Sequence, residues 1–212
     1  MKALIVVDVQ NDFLPGGSLA VPESDQIILV VNKLIDRFDD NHDPIFYTRD
    51  AHPANHGSFA SVQDVDPFTM GMLGNDVQMF WPDHCVVGTD GFEINKAVET
   101  PVHSKHLTID KGMDPKHDSY SGFADAGGRA TELLMSLGKV NVKSEDTLVI
   151  CGLATDYCVK ATAMDAVKLG FEVVVALDAC RGVAAESTVT AIYEMLAVGI
   201  TLIVDPKAAG KF

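Results

Sequence analysis

The chain has 212 residues, is 47% hydrophobic, and sets 30 Asp and Glu against 16 Lys and Arg for a formal net charge of −14. That length and apolar content suit one buried core of the α/β type, and the acidic balance excludes nucleic acid and anionic membrane surfaces as partners, because no basic patch can be assembled. No stretch approaches the ~20 apolar residues of a membrane span, and the opening MKALIVVDVQNDF lacks the small-residue cleavage site of a secretory signal.

In chain order, Lys2–Val7 is an unbroken β-type run of the sort buried on both faces of a parallel sheet, and it ends at Asp8. The Pro/Gly-containing loop Val9–Pro22 leads to a helix over Ser24–Phe38, with Ile27, Ile28, Val31, Leu34, Ile35 and Phe38 on the helical period. Pro44–Thr48 is a second strand. It opens into an irregular stretch from Ala51 to about His106, and loops of that length in compact domains are usually functional. A third strand, His106–Asp110, runs into Lys111-Gly112. A polar loop over Met113–Gly128 then precedes a helix through about Leu137, where Gly138 is expected to stop it. Strand Thr147–Cys151, helix Tyr157–Leu169, strand Glu172–Leu177, helix Ala184–Val198 and strand Thr201–Val204 complete the chain. Alternating strands and helices predict a single domain over residues 1–212, a three-layer α/β/α sandwich on a six-stranded, mostly parallel sheet of Rossmann type. Ligands of such sheets bind beyond the carboxyl ends of the strands.

Those ends carry the chemistry-capable residues. Cys158 falls in the first turn of the helix after Thr147–Cys151, where unpaired N–H groups and a positive partial charge favour a thiolate and can hold an oxyanion. Asp8 and Lys111 end neighbouring strands, and an acid, an ammonium and a thiol together make a complete nucleophilic apparatus. Lys111 would favour the thiolate, and Asp8 would take the thiol proton and return it to a leaving amine. Asp50 and His52 stand at i and i+2 past a strand; His84, in Trp81-Pro82-Asp83-His84-Cys85, and His56 are further candidates. Asp plus two His is an open site for zinc, iron or manganese. The four cysteines (Cys85, Cys151, Cys158, Cys180) include no C-x-x-C pair and read as reduced thiols of a cytoplasmic protein.

Five motifs, VVDVQNDFLPGGSLAVP (6–22), RDAHPANHGSFA (49–60), FWPDHCV (80–86), Lys111-Gly112 followed by DSYSGF (118–123), and GLATDYCVKATAMDA (152–166), occur in an order that resembles the nicotinamidases of the isochorismatase-like cysteine hydrolase superfamily. The resemblance implies hydrolysis of nicotinamide to nicotinate and ammonia through a cysteine thioester, with pyrazinamide as a further substrate and a place in NAD salvage. It implies a triad of Asp8, Lys111 and Cys158, and one divalent ion, zinc ahead of iron or manganese, on Asp50, His52 and His84, with His56 beside it. It also implies a cis peptide joining Ala154 to Thr155, an oxyanion hole of the Ala154 and Cys158 N–H groups, and a substrate pocket of Phe13, Leu19, Trp81, Tyr120 and Tyr157. A homo-oligomer is compatible with it. Other carbamoyl or amide hydrolases, isochorismate-cleaving enzymes and a non-catalytic binding protein are the competing readings. The metal-type residues, the cysteine and the intact Asp8-Lys111-Cys158 set, respectively, weigh against them. Ala51 and Tyr157 depart from the residues common among relatives.

Overall fold

The computed structural model describes residues 1–204. Strand β1 (Lys2–Val7) is followed by 3-10 turns at Asn11–Phe13 and Ser24–Ile27 and by helix α1 (Ile28–Asp40). The apolar stripe foreseen for that helix is its buried face: Val31, Leu34, Ile35 and Phe38 lie against the sheet, each contributing about 1.5–3 kcal/mol of burial free energy. Strand β2 (Ile45–Asp50), the single-turn α2 (Ala60–Gln63) and an antiparallel hairpin of β3 (Thr69–Leu73) and β4 (Asp76–Phe80) come next. Then follow β5 (His106–Lys111), α3 (Leu133–Lys139), β6 (Thr147–Leu153), a π-type turn (Thr155–Val159), α4 (Lys160–Lys168), β7 (Glu172–Arg181), α5 (Ala185–Ala197) and β8 (Thr201–Ile203).

The main sheet has the order β5-β2-β1-β6-β7-β8, and every pairing in it is parallel. The six strands are those expected, with the carboxyl ends of β2, β6 and β7 longer than their apolar runs. The extra residues, such as Arg49 and Asp50, stay in the ladder by pairing with Asp110 and Lys111 of β5. The hairpin β3–β4, outside the main sheet, was not foreseen. Gly138 does not end its helix: α3 continues to Lys139, and Asn141, at φ +66°, takes the left-handed position instead. No helix of the described residues is long and apolar enough to cross a membrane.

Candidate active site

The strand order brings the ends of β1, β2, β5 and β6 side by side at the carboxyl edge. Gly152 permits the closest approach: it pairs with Val7 at φ +116°, and a Cβ there would lie 2.0 Å from the Val7 carbonyl oxygen. Asp8, one residue beyond β1, is fully buried, and its Oδ1 accepts a 2.6 Å hydrogen bond from Thr48 Oγ1. Asp50 and Lys111 are register partners on β2 and β5. The buried Lys111 ammonium sits 2.5 Å from Asp50 Oδ1, 3.0 Å from Asp8 Oδ2 and 3.4 Å from Cys158 Sγ, and donates to the Ser119 carbonyl at 2.7 Å. The carboxylates of Asp8 and Asp50 and the Cys158 sulfur come within 4.8 Å of one another.

Charge in this buried cluster departs from the sequence expectation at one point. Burial pushes the Cys158 thiol well above its ordinary range; Lys111 opposes that rise, and the Asp8 and Asp50 carboxylates reinforce it. Burial thus favours the neutral thiol in this cluster, while Lys111 pulls toward the thiolate. Burial also raises Asp8, against the pull of Lys111, which makes it a stronger base than an exposed carboxylate. For Asp50 burial is the largest single effect and would raise the carboxyl, but Lys111, His52 and His84 together outweigh it and the carboxyl lies low. Burial would lower Lys111, but Asp50 and Asp8 hold it well above the usual lysine range, so it stays an ammonium.

The residues leading into Cys158 require a second correction. The cis peptide joins Leu153 to Ala154, one bond earlier than expected. The Ala154 carbonyl already accepts from the N–H groups of Tyr157 and Val159, each at 3.1 Å, so the helical turn begins at the bond after Ala154 and the reversal of the chain falls before it. Ala154 and Cys158 both face the pocket.

Beside the cluster, ligand atoms of Asp50, His52 and His84 lie within 4.8 Å of one another. A parallel bridge between His52 and Val86 brings the two histidine segments together. Each ring is oriented by a backbone carbonyl at Nδ1: Gly112 O for His52 and Pro82 O for His84, both at 2.8 Å. With Nδ1 occupied as a donor, Nε2 carries the lone pair, the tautomer a metal requires. The donor set fits a divalent ion. Gly112 (φ +71°) is required at its place, because a Cβ there would press on His52 Cε1 at 2.5 Å. His56 packs on the His52 ring at a centroid distance of 4.3 Å and bonds Ser58 Oγ through Nδ1, while its buried Nε2 has no hydrogen-bond partner among the described residues. It stands next to the meeting group but outside it.

Phe13, Leu19, Trp81, Tyr120 and Tyr157 all line one pocket with Cys158, Asp50 and His84. Val21, Asp118 and Val183 also line it and were not anticipated. Trp81 meets Tyr157 edge-on at 5.0 Å, and its Nε1 donates to the Tyr120 hydroxyl at 3.1 Å. Two supports were also missed. Thr48 follows an ordinary apolar run and gives no signal. Gln10 brackets the Asp50 backbone, donating to its carbonyl and accepting from its N–H, each at 2.8 Å; its place in the VQNDF motif was the available clue.

The family described as Isochorismatase domain matches residues 2–204. The nicotinamidase of Escherichia coli K12 is 44% identical over 205 residues, covering 95% of this chain and 93% of that protein. Among solved structures, a nicotinamidase pyrazinamidase of Acinetobacter baumanii superposes with a TM-score of 0.87 at 39% identity over 95% of each chain. A pyrazinamidase of Pyrococcus horikoshii, in complex with zinc, superposes with a TM-score of 0.78 at 41% identity over 95% of this chain and 98% of that one.

Proposed function

The chain belongs to the isochorismatase-domain family, and from that premise we propose that it hydrolyses nicotinamide to nicotinate and ammonia, with pyrazinamide as a second substrate and the product returning to pyridine nucleotide synthesis. One observation carries the reading: a buried acid, ammonium and thiol converge at the floor of an aromatic-walled pocket that also presents an Asp-His-His group.

In this reading the aromatic side chains hold the flat ring with its carboxamide carbon over Cys158 Sγ. Asp50, His52 and His84 would hold one divalent ion, zinc ahead of iron or manganese, whose chemistry when bound is that of an electron-pair acceptor for the ring nitrogen. Since burial favours the thiol, attack is general-base assisted: the S–H proton passes to Asp8 Oδ2 as the C–S bond forms. Thr48 pins Oδ1 and leaves Oδ2 to do this. The oxyanion is received by the N–H groups of Ala154 and Cys158, each worth about 3 kcal/mol to the transition state. Asp8 then protonates the departing nitrogen, the C–N bond breaks, and ammonia leaves a thioester on Cys158. Water gives a proton to Asp8 as it adds to the thioester; the C–S bond breaks, nicotinic acid departs, and the sulfur recovers that proton. Lys111, fixed as an ammonium, steadies the negative charge that moves between Asp8 and Sγ.

The test is ammonia release from nicotinamide and pyrazinamide by metal-replete protein, beside benzamide, an N-carbamoyl amine and isochorismate. Turnover of the first two supports the reading. Turnover confined to the carbamoyl compound or to isochorismate would sink it.

A further inference from the structure

The hairpin β3–β4 lies outside the main sheet, yet one of its side chains reaches the pocket wall. Strand alternation turns Val77 outward, 71% exposed, and buries Gln78 at 4%. Opposite Gln78 in register stands Gly71, where a Cβ would come within 2.3 Å of the Phe80 ring. The ring therefore covers the hairpin's inner face beside Gln78.

Three acceptors surround the Gln78 amide nitrogen: the Met79 carbonyl at 2.7 Å, Asp118 Oδ2 at 2.6 Å and the Tyr120 hydroxyl at 2.9 Å. Turning the amide over would set its oxygen against a carbonyl and a carboxylate, so its orientation is fixed. Two of these acceptors, Tyr120 and Asp118, line the pocket. Tyr120 takes a second donor from Trp81 Nε1, which ties those two rings through the hydroxyl, and Tyr157 packs against both, tilted to Tyr120 at 5.5 Å and edge-on to Trp81 at 5.0 Å. Asp118 lines the pocket, is 6% exposed and makes no ion pair among the described residues; its hydrogen bonds come from the Ser119 N–H and from Gln78. A buried carboxylate without a cation needs its donors.

We propose that Gln78 is a positioning residue of the substrate pocket, its side-chain amide holding Tyr120, Asp118 and, through Tyr120, the Trp81 ring in one preorganised wall. The substrate arm of this inference rests on the nicotinamide reading. The hairpin is then a specificity element acting on the pocket from outside the sheet, without touching the reacting atoms.

Substitution by shape and by charge separates this role from space-filling. Gln78→Met keeps the volume and removes the donor; KM for nicotinamide rises about tenfold with kcat held within about threefold, the signature of lost ground-state positioning. Gln78→Glu keeps the shape but faces Asp118 with a second carboxylate, and KM rises more, by about a hundredfold. Trp81 is the chain's sole tryptophan, so its emission reads the wall directly in substrate-free protein. It should shift to the red and become more accessible to acrylamide in the order wild type, Met, Glu. If Gln78→Glu fails to fold, Gln78→Met and Asp118→Asn decide; the latter leaves the hairpin intact and raises KM about tenfold by weakening the acceptor. Wild-type KM and emission in Gln78→Glu, or in both Gln78→Met and Asp118→Asn, overturn the proposal. Absence of nicotinamide turnover in the wild type counts against the nicotinamide reading alone, because the emission arm uses no substrate.

Discussion

Replacing Lys111 with Met isolates the contribution of one buried charge, since the two side chains have similar length and the change opens little cavity. Among the described residues the ammonium is the one cation within reach of both the Asp8 and Asp50 carboxylates, at 3.0 and 2.5 Å, and both carboxylates are almost wholly buried. At an effective dielectric of ~20 each attraction is about 5–7 kcal/mol, most of it offset by the desolvation already incurred. Removing the cation leaves that desolvation uncompensated, and the expected loss is about 3–5 kcal/mol of stability, or about 6–20 °C in Tm for a chain of this size. The sign with pH follows from Asp8. Burial already raises its carboxyl, and without Lys111 it rises further. An acid whose folded pKa lies above its unfolded one costs stability as pH climbs through the folded value, so the deficit is smaller at about pH 5 than at about pH 8. Urea unfolding of chelator-treated wild type and variant, followed by Trp81 emission at both pH values, measures it. A deficit below about 1 kcal/mol, the scale of a surface pair, or one that does not change with pH, refutes the account of the cluster.

Cys158→Ala should abolish turnover while bound metal stays near one per chain by elemental analysis; retained activity would remove the covalent step. His52→Ala should lose metal and activity together, and His56→Ala, which removes a ring standing beside the ligand group, should weaken metal binding by about 10–100-fold without eliminating it; a chelator-competition titration ranks the two. Activity should fall on the acid side as Asp8 gains a proton, at a pH above the ordinary carboxylate value, because burial raises that group; a kcat/KM profile shows the limb. Asp39 accepts from the N–H groups of Val102, His103 and Ser104, which outweigh burial and hold its carboxyl at about 2. Its stabilisation is complete above the unfolded carboxylate pKa and is lost as pH falls toward about 2, so the melting-temperature gap between wild type and Asp39→Asn should close over that acid range.

The four inner strands of the main sheet, β1, β2, β6 and β7, were legible because their cores are continuous apolar runs buried on both faces, a pattern that survives without knowledge of the neighbours; the edge strands β5 and β8 are more exposed. The extensions of β6 to Leu153 and of β7 to Arg181 were not legible, whereas Asp50 and Lys111 were placed at strand ends, where the ladder pairs them. The hairpin escaped notice because its strands, TMGML and DVQMF, hold only Thr69 and Val77 as β-branched residues among Met, Gly, Gln and Asp. A two-residue Gly74-Asn75 turn, with Gly74 at φ +63°, was the one local clue. At the site, residue identities came through the motifs, and all five expected aromatic and aliphatic pocket residues line the pocket. The direction of the thiol pKa did not come through. A helix start can be read from the chain, whereas full burial beside two carboxylates is a property of the assembled interior. Gln78, Thr48 and Gln10 were missed for the same reason: each acts through a partner far away in sequence.

The parallel sheet also ties activity to the timing of assembly. Asp8 follows the first strand, Lys111 ends an outer one, and Cys158 follows β6, whose partner is that first strand, Lys2 lying opposite Thr147. No segment of the chain contains the reacting group by itself, and the distant joining of β1 to β6 must precede any chemistry. A ribosome-bound chain is therefore inert until most of its length has emerged. In refolding, recovered turnover marks the closing of the sheet's centre, trailing or matching the return of backbone ellipticity and never preceding it.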